Sequence, residues 1–160
     1  MSSIQRSLEQ FYQTHARSLL IVAMAITHRQ DLAEEAIHSV FCSLLSRQES
    51  PKNQKAFIFT CVRNAAIDLI RKEKRQNELE APFIFAEPAN PRQVSEEKEL
   101  QEAVLASLKI LTPEERETVV QHLYADLTFR EIAEIRGDSI NTVMSWYRRG
   151  LEKIRNRLDT

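Results

Sequence analysis

Apolar residues recur at intervals of three and four along most of this chain, the spacing of a helix with one face turned inward. Ile4, Leu8, Phe11, His15, Leu19, Val22 and Ile26 form one such stripe and predict a helix over 3–27. Asp31 and Glu34 make a capping pair for a second helix. Its buried side is Ala33, Ala36, Ile37, Val40, Phe41, Leu44 and Leu45, and its wet side is Glu34, Glu35, His38 and Ser39. After a polar loop at 50–54 a third helix is predicted over 54–75, apolar almost all round. Its exceptions, Thr60, Asn64, Asp68, Arg71 and Arg75, are four, four, three and four residues apart, so they align as one narrow polar stripe.

The pattern breaks over 77–94, where Pro82, Pro88 and Pro91 mark an irregular linker. Phe83, Ile84 and Phe85 inside it are unusual for a free linker and suggest that it docks on something. Periodicity resumes at Ser95, with Leu100, Val104, Leu105, Leu108 and Leu111. Thr112-Pro113-Glu114-Glu115 starts another helix, with proline where a missing amide costs nothing. Thr128 and Glu131 can cap each other's amides at the start of the next, whose apolar face is Phe129, Ile132, Ala133 and Ile135. Gly137 ends that helix and Ser139 caps a last one, with Ile140, Val143, Tyr147, Leu151, Ile154 and Leu158 as its stripe. The whole reads as all-α: two small helical domains, 1–76 and 95–160, joined by a flexible acidic linker over 77–94, the second domain containing a helix-turn-helix.

Two glycines and 28% charged residues suit an all-helical chain. Net charge is only −1, so affinity for nucleic acid has to come from segregated charge. Residues 62–76 carry Arg63, Arg71, Lys72, Lys74 and Arg75 against Asp68 and Glu73, a net of +3. Residues 141–160 carry Arg148, Arg149, Lys153, Arg155 and Arg157 against Glu152 and Asp159, again +3. Between them, 77–117 nets −6. Cys42 and Cys61 fall in apolar patterns and are expected to pack as small hydrophobes. His15, His28, His38 and His122 have no ligand spacing with them, so neither a metal nor a cofactor is implied. The longest wholly apolar run, 19–26, is far short of the ~20 residues that span a bilayer, and the start is polar, so no membrane insertion and a cytoplasmic location are expected.

On the last helix Thr142, Ser145, Arg149 and Glu152 point away from the apolar stripe, flanked by Asn141, Trp146 and Arg148. Short polar groups followed by arginines are what a recognition helix offers a major groove, although a helical hairpin of the same outline needs no DNA. The polar stripe of the third helix has the hydrogen-bonding range to handle bases and backbone together. Glu34, Glu35 and His38 are either a docking corner or a solvated helix start favoured by the helix dipole. A stand-alone helix-turn-helix regulator would leave the Thr60-to-Arg75 stripe without a role, and a helical adaptor would leave both basic patches unexplained. An enzyme is disfavoured, with no paired carboxylates, activated nucleophile or phosphate-cradling loop.

In this order the parts resemble a bacterial RNA polymerase sigma factor of the extracytoplasmic-function type, over nearly everything except the linker. The matching motifs are DLAEEAIHSVF at 31–41, AFIFTCVRNAAIDLIRKEKR at 56–75, LTPEERETVV at 111–120 and FREIAEIRGDSINTVMSWYRR at 129–149. The resemblance implies that Glu34, Glu35, His38 and Phe41 sit on or behind a surface that docks on the clamp helices of core RNA polymerase. It places Thr60, Asn64, Asp68, Arg71 and Arg75, with Asn53 in the preceding loop, at the non-template strand of the −10 element. Arg130, Asn141, Thr142, Ser145, Trp146, Arg148 and Arg149 would face the −35 duplex. Promoter DNA and core polymerase are the implied partners, with an anti-sigma factor as a further candidate. The family's acidic linker threads toward the catalytic channel. Three departures stand out: His38 where the family usually has Gln, Met144 and Trp146 where Lys and Arg are common, and Gly150 in place of a small helix-favouring Ala.

Overall fold

The computed structural model describes residues 2–47, 52–77 and 106–159. Three helices come first: α1 (Ser3–Thr27), α2 (Gln30–Ser46) and α3 (Gln54–Asn77). A helical turn at 106–109 leads into α4 (Pro113–Leu123), α5 (Phe129–Arg136) and α6 (Ile140–Leu158). The expected linker, apart from Asn77 at the end of α3, and the first part of the helix expected from Ser95 lie outside the described residues.

Helices α1, α2 and α3 pack on one another, α4 packs on α6 with α5 against both, and the two groups touch through α1 with α4 and α3 with α5. Leu19, Val22, Ile58, Phe59 and Val62 fill the first group and Val119, Val120, Leu127, Ile132 and Val143 the second, all essentially without exposure. Burying a side chain of that size stabilises by about 1.5–3 kcal/mol. The second half of α1 is buried all round, Ile21 through Ala25, because helices cover it on more than one side. His15 is packed between Phe11 and Phe59. Burial, reinforced by the charge of Lys55, holds its imidazole below the ordinary range.

Local chemistry sets most helix ends. Thr112 accepts from the amide of Glu115 at 3.2 Å while the Glu115 carboxylate accepts from the amide of Thr112 at 3.0 Å, with Pro113 in the first turn. Thr128 and Glu131 repeat the arrangement at α5. The start of α2 differs from expectation. Its cap is Arg29, which makes no side-chain capping bond, and Asp31 lies inside the first turn. The Arg29 guanidinium holds Asp31 at 2.6 Å and also reaches Glu73 on α3, so Asp31 serves an ion pair instead of a cap. That pairing with Arg29 pulls the Asp31 carboxyl below its usual range.

Three burial expectations are also corrected. Leu45, expected on the buried side of α2, is exposed near the end of that helix. Cys42 is exposed, since the face of α2 it occupies meets no other described helix, while Cys61 is half-buried and burial pushes its thiol up. Of the α6 stripe only Val143 is fully buried; Tyr147, Leu151 and Ile154 are half-buried, and Ile140 and Leu158 are exposed at its ends. At 19 residues α6 is about 28 Å long, whereas the 11 residues of α4 beneath it span about 16 Å, so its ends overhang. No helix among the described residues is long and apolar enough to cross a membrane.

Candidate nucleic-acid interface

The helix-turn-helix is fixed by Gly137 and Ser139 between its helices. Gly137 takes a left-handed conformation, φ 70°, that a side chain would strain. Ser139 then accepts from the amide of Thr142 at 3.2 Å, and the two hydroxyls lie 2.8 Å apart. On α4, His122 donates from Nδ1 to the carbonyl of Leu127 at 2.8 Å and stacks on Phe129, which locks the entry into α5.

On α6 Asn141, Thr142, Arg148 and Arg149 are exposed and Ser145 is half-buried beside them; Arg130 is exposed on α5. None of these three arginines forms an ion pair with another described residue. Together they present cations and short hydrogen-bonding groups, the kit for phosphate and base edges. Trp146 stands apart from that set. Its indole packs against the core beneath Arg136, whose guanidinium carbon is 4.5 Å from the ring centre. Next to the exposed face, Phe129, Met144, Tyr147 and Leu151 line a shallow apolar groove edged by Arg148, Glu152 and Arg155. Gly150 is buried where α6 crosses α4, and a Cβ there would lie 2.8 Å from Cγ2 of Val119. The departure from alanine at this position is a matter of packing distance.

On α3 Asn64, Asp68, Arg71 and Arg75 are exposed in line, with Lys72 and Lys74 near the end. Thr60 is half-buried and its hydroxyl donates to the carbonyl of Ala56 at 2.7 Å. Asn53 is exposed ahead of the helix, its side chain accepting from the amide of Ala56 at 3.4 Å and its carbonyl from Phe57 at 3.0 Å. The arginine count of this segment is misleading in one respect. Arg63 points the other way and pairs with Glu117 on α4.

On α2 Glu34, Glu35 and His38 are exposed, with Gln30 donating to Glu34 at 3.0 Å and Cys42 Sγ 3.5 Å from His38 Nε2. Phe41 is half-buried behind them, edge-on to Tyr12 at 5.3 Å. The three sets of candidate residues therefore lie on different elements: α2, α3 with the loop before it, and α6 with Arg130 of α5. What sequence reasoning missed is the contact between the two helical groups. Glu117 faces both Arg63 and, at 3.5 Å, Arg136 of α5; Lys55 reaches Glu131 at 3.4 Å; Arg116 lies 3.3 Å from Nε2 of His28. These partners are 54, 19, 76 and 88 residues apart, beyond any local pattern.

The sigma-70 region 2 family model matches residues 11–76 and the sigma-70 region 4 model residues 101–154. The RNA polymerase sigma factor CarQ of Myxococcus xanthus is 26% identical over 157 residues, which cover 96% of this chain and 90% of that protein. The ECF RNA polymerase sigma factor SigE of Mycolicibacterium smegmatis is 27% identical over 160 residues, 95% of this chain and 62% of that one. Two solved structures share the fold. One is the sigma factor RpoE in complex with the anti-sigma factor NepR from Bartonella quintana, with a TM-score of 0.78, 20% identity and coverage of 97% of this chain and 98% of that one. The other is CnrH in complex with the cytosolic domain of CnrY, at 0.68 and 19%, covering 98% and 90%.

The chain belongs to the sigma-70 family of RNA polymerase sigma factors. Within that family it is of the extracytoplasmic-function type. Neither the stand-alone regulator nor the adaptor finds support.

Proposed function

We propose that this chain recruits core RNA polymerase to promoters through three separate faces. Glu34, Glu35 and His38, backed by Phe41, dock on the clamp helices of the large polymerase subunit. Asn64, Asp68, Arg71 and Arg75, with Thr60 and Asn53, read the non-template strand of the −10 element. Arg130, Asn141, Thr142, Ser145, Arg148 and Arg149 meet the −35 duplex. In this reading 1–76 and 95–160 are the two working domains and 77–94 links them. The protein acts in the cytoplasm beside polymerase, as a non-enzymatic factor that binds and orients while polymerase makes the bonds. An anti-sigma factor is a proposed further partner, by analogy with the complexes of RpoE with NepR and of CnrH with CnrY.

The observation that carries the reading is the separation of two exposed polar faces on two different helices, one rich in Asn, Asp and Arg on α3 and one with Asn, Thr and Arg on α6. A groove-reading helix alone needs only the second. The test is in vitro transcription of fragmented genomic DNA by core polymerase with and without the protein. New start sites that require the protein are expected, and an unchanged transcript set refutes the proposal.

A further inference from the structure

We infer that His38 and Cys42 form a two-ligand clip for a zinc-class divalent cation on the exposed face of α2, and that filling it blocks the docking assigned to that face. The second half rests on the assignment of Glu34, Glu35 and His38 to core polymerase. Among the described residues no group of three or more His, Cys, Asp or Glu side chains is placed to share a metal ion. The expectation that the histidines and cysteines have no ligand spacing is corrected at one pair. Positions four apart stand one above the other on a single helix face, and α2 brings Nε2 of His38 to 3.5 Å from Sγ of Cys42.

That separation is the bite of a tetrahedral ion. With Zn–S at about 2.3 Å and Zn–N at about 2.0–2.1 Å, the tetrahedral angle sets the two donor atoms about 3.5–3.6 Å apart. The same span suits a hydrogen bond from the thiol to the imidazole, so the cation takes the place of a proton with little movement of either side chain. With its ring proton on Nδ1, His38 offers the Nε2 lone pair, and Cys42 binds as the thiolate, its proton passing to solvent. Thiolate and imidazole together select zinc over the oxygen-seeking magnesium and calcium. Both side chains are exposed, so a hydrated ion reaches them and keeps water in its remaining positions. The local charge has the right sign: α2 carries Asp31, Glu34 and Glu35 and neither Lys nor Arg, and Glu34 lies one turn before His38. Cys61 is the contrast. It is half-buried, burial pushes its thiol up and away from the thiolate, and the positions one turn to either side are Phe57 and Ala65. A filled clip uses up the Nε2 of His38. It also adds one positive charge, the dication less the thiolate, beside Glu34 and Glu35, which changes both features that the docking corner offers a partner.

Cobalt(II), which accepts the same donors and absorbs visible light, is the probe. Titrated into the free full-length chain, kept reduced by a phosphine, it should give a near-ultraviolet sulfur-to-metal charge-transfer band that zinc then abolishes. Cys42→Ser and His38→Gln should each lose the band, and Cys61→Ser should keep it. Both clip positions are exposed, so circular dichroism should show every variant folded alike. Absence of the band from wild type, or its survival in Cys42→Ser or His38→Gln, overturns the site. The block is read by binding of the chain to core polymerase. Zinc in excess over the chain should weaken that binding several-fold for wild type and leave Cys42→Ser unaffected, whereas equal sensitivity in Cys42→Ser overturns the block. A wild-type chain that fails to bind core polymerase without zinc removes the docking reading and the block with it, while the cobalt spectra decide the site by themselves.

Discussion

The guanidinium carbon of Arg136 lies over the indole of Trp146, 4.5 Å from the ring centre, and the arginine side chain is itself only 5% exposed. Trp146 therefore supports a nearly buried cation and is expected to matter for folding before it matters for DNA. Truncating a fully buried tryptophan costs about 3–5 kcal/mol, so Trp146→Ala, at a half-buried position, should cost about 2–3 kcal/mol in urea unfolding. Trp146→Phe should keep both the fold and duplex promoter binding in holoenzyme. A loss of promoter affinity in the phenylalanine variant without a loss of stability would instead make Trp146 a DNA contact.

Asn64 and Arg149 should fail at different steps. Arg149 is exposed on the helix proposed to meet closed duplex, so Arg149→Ala should weaken promoter recruitment, by about 1–3 kcal/mol if the lost contact is bidentate to guanine. Asn64 suits unpaired bases, which become readable only after leaving the stack, so Asn64→Ala should spare initial binding and impair opening. Mobility shifts on duplex promoter and permanganate reactivity of the −10 thymines, both with holoenzyme, separate the two. Wild-type opening by Asn64→Ala would reduce the α3 stripe to a solvated face.

Reversing Glu34 and Glu35 to Lys should abolish co-purification with core polymerase. Both side chains are exposed and neither contributes to the core, so helical circular dichroism should not change. Undiminished co-purification would move the docking surface elsewhere.

Acid should loosen the C-terminal helices at one identifiable joint. Burial tends to raise the Glu115 carboxyl, but the bond from Lys153 of α6 at 2.6 Å and those from Thr112 outweigh it, and the net shift is downward from 4.5. A carboxyl lowered by folding lends its full stability above the unfolded value and loses it as pH falls through the folded one. Glu115→Gln should cost about 1–2 kcal/mol at pH 7, the worth of a hydrogen bond to a charged group with Lys153 partly exposed. The gap between variant and wild type in thermal unfolding should close below pH 4. A constant gap across that range would show that the charge of Glu115 is immaterial.

The legible parts of this molecule are those whose causes lie within a few residues. Thr128 with Glu131, then Gly137, then Ser139, specify the helix-turn-helix because each satisfies its neighbour's backbone. The α3 stripe was equally plain, since four of its five members are exposed in line. Errors arose where a distant group competes. Asp31 reads as a cap until Arg29, itself tied to Glu73, takes it. Arg63 reads as a DNA cation until Glu117 arrives from 54 residues away. Cys42 and the ends of the α6 stripe look buried because periodicity reports a face and carries no information on whether another helix covers it.

Gly150→Ala tests packing against propensity. Alanine gains about 0.5–1 kcal/mol within a helix, but its methyl would sit 2.8 Å from a γ-carbon of Val119, a β-branched side chain with little freedom to turn aside. Overpacking of that kind costs about 1–3 kcal/mol, so a net loss of about 1 kcal/mol in urea unfolding is expected. Equal or greater stability would show that α4 and α6 part easily.

The same contact limits how the proposed reading helix, α6, can be exchanged. An α6 transplanted from a relative with alanine at 150 brings that methyl with it. Against Val119 the foreign helix would ride higher and roll, turning Thr142 and Arg149 away from the angle at which α4 and α5 now hold them. A chimera meant to borrow another promoter's specificity therefore has to take residue 119 from the same donor as residue 150, although both positions are buried.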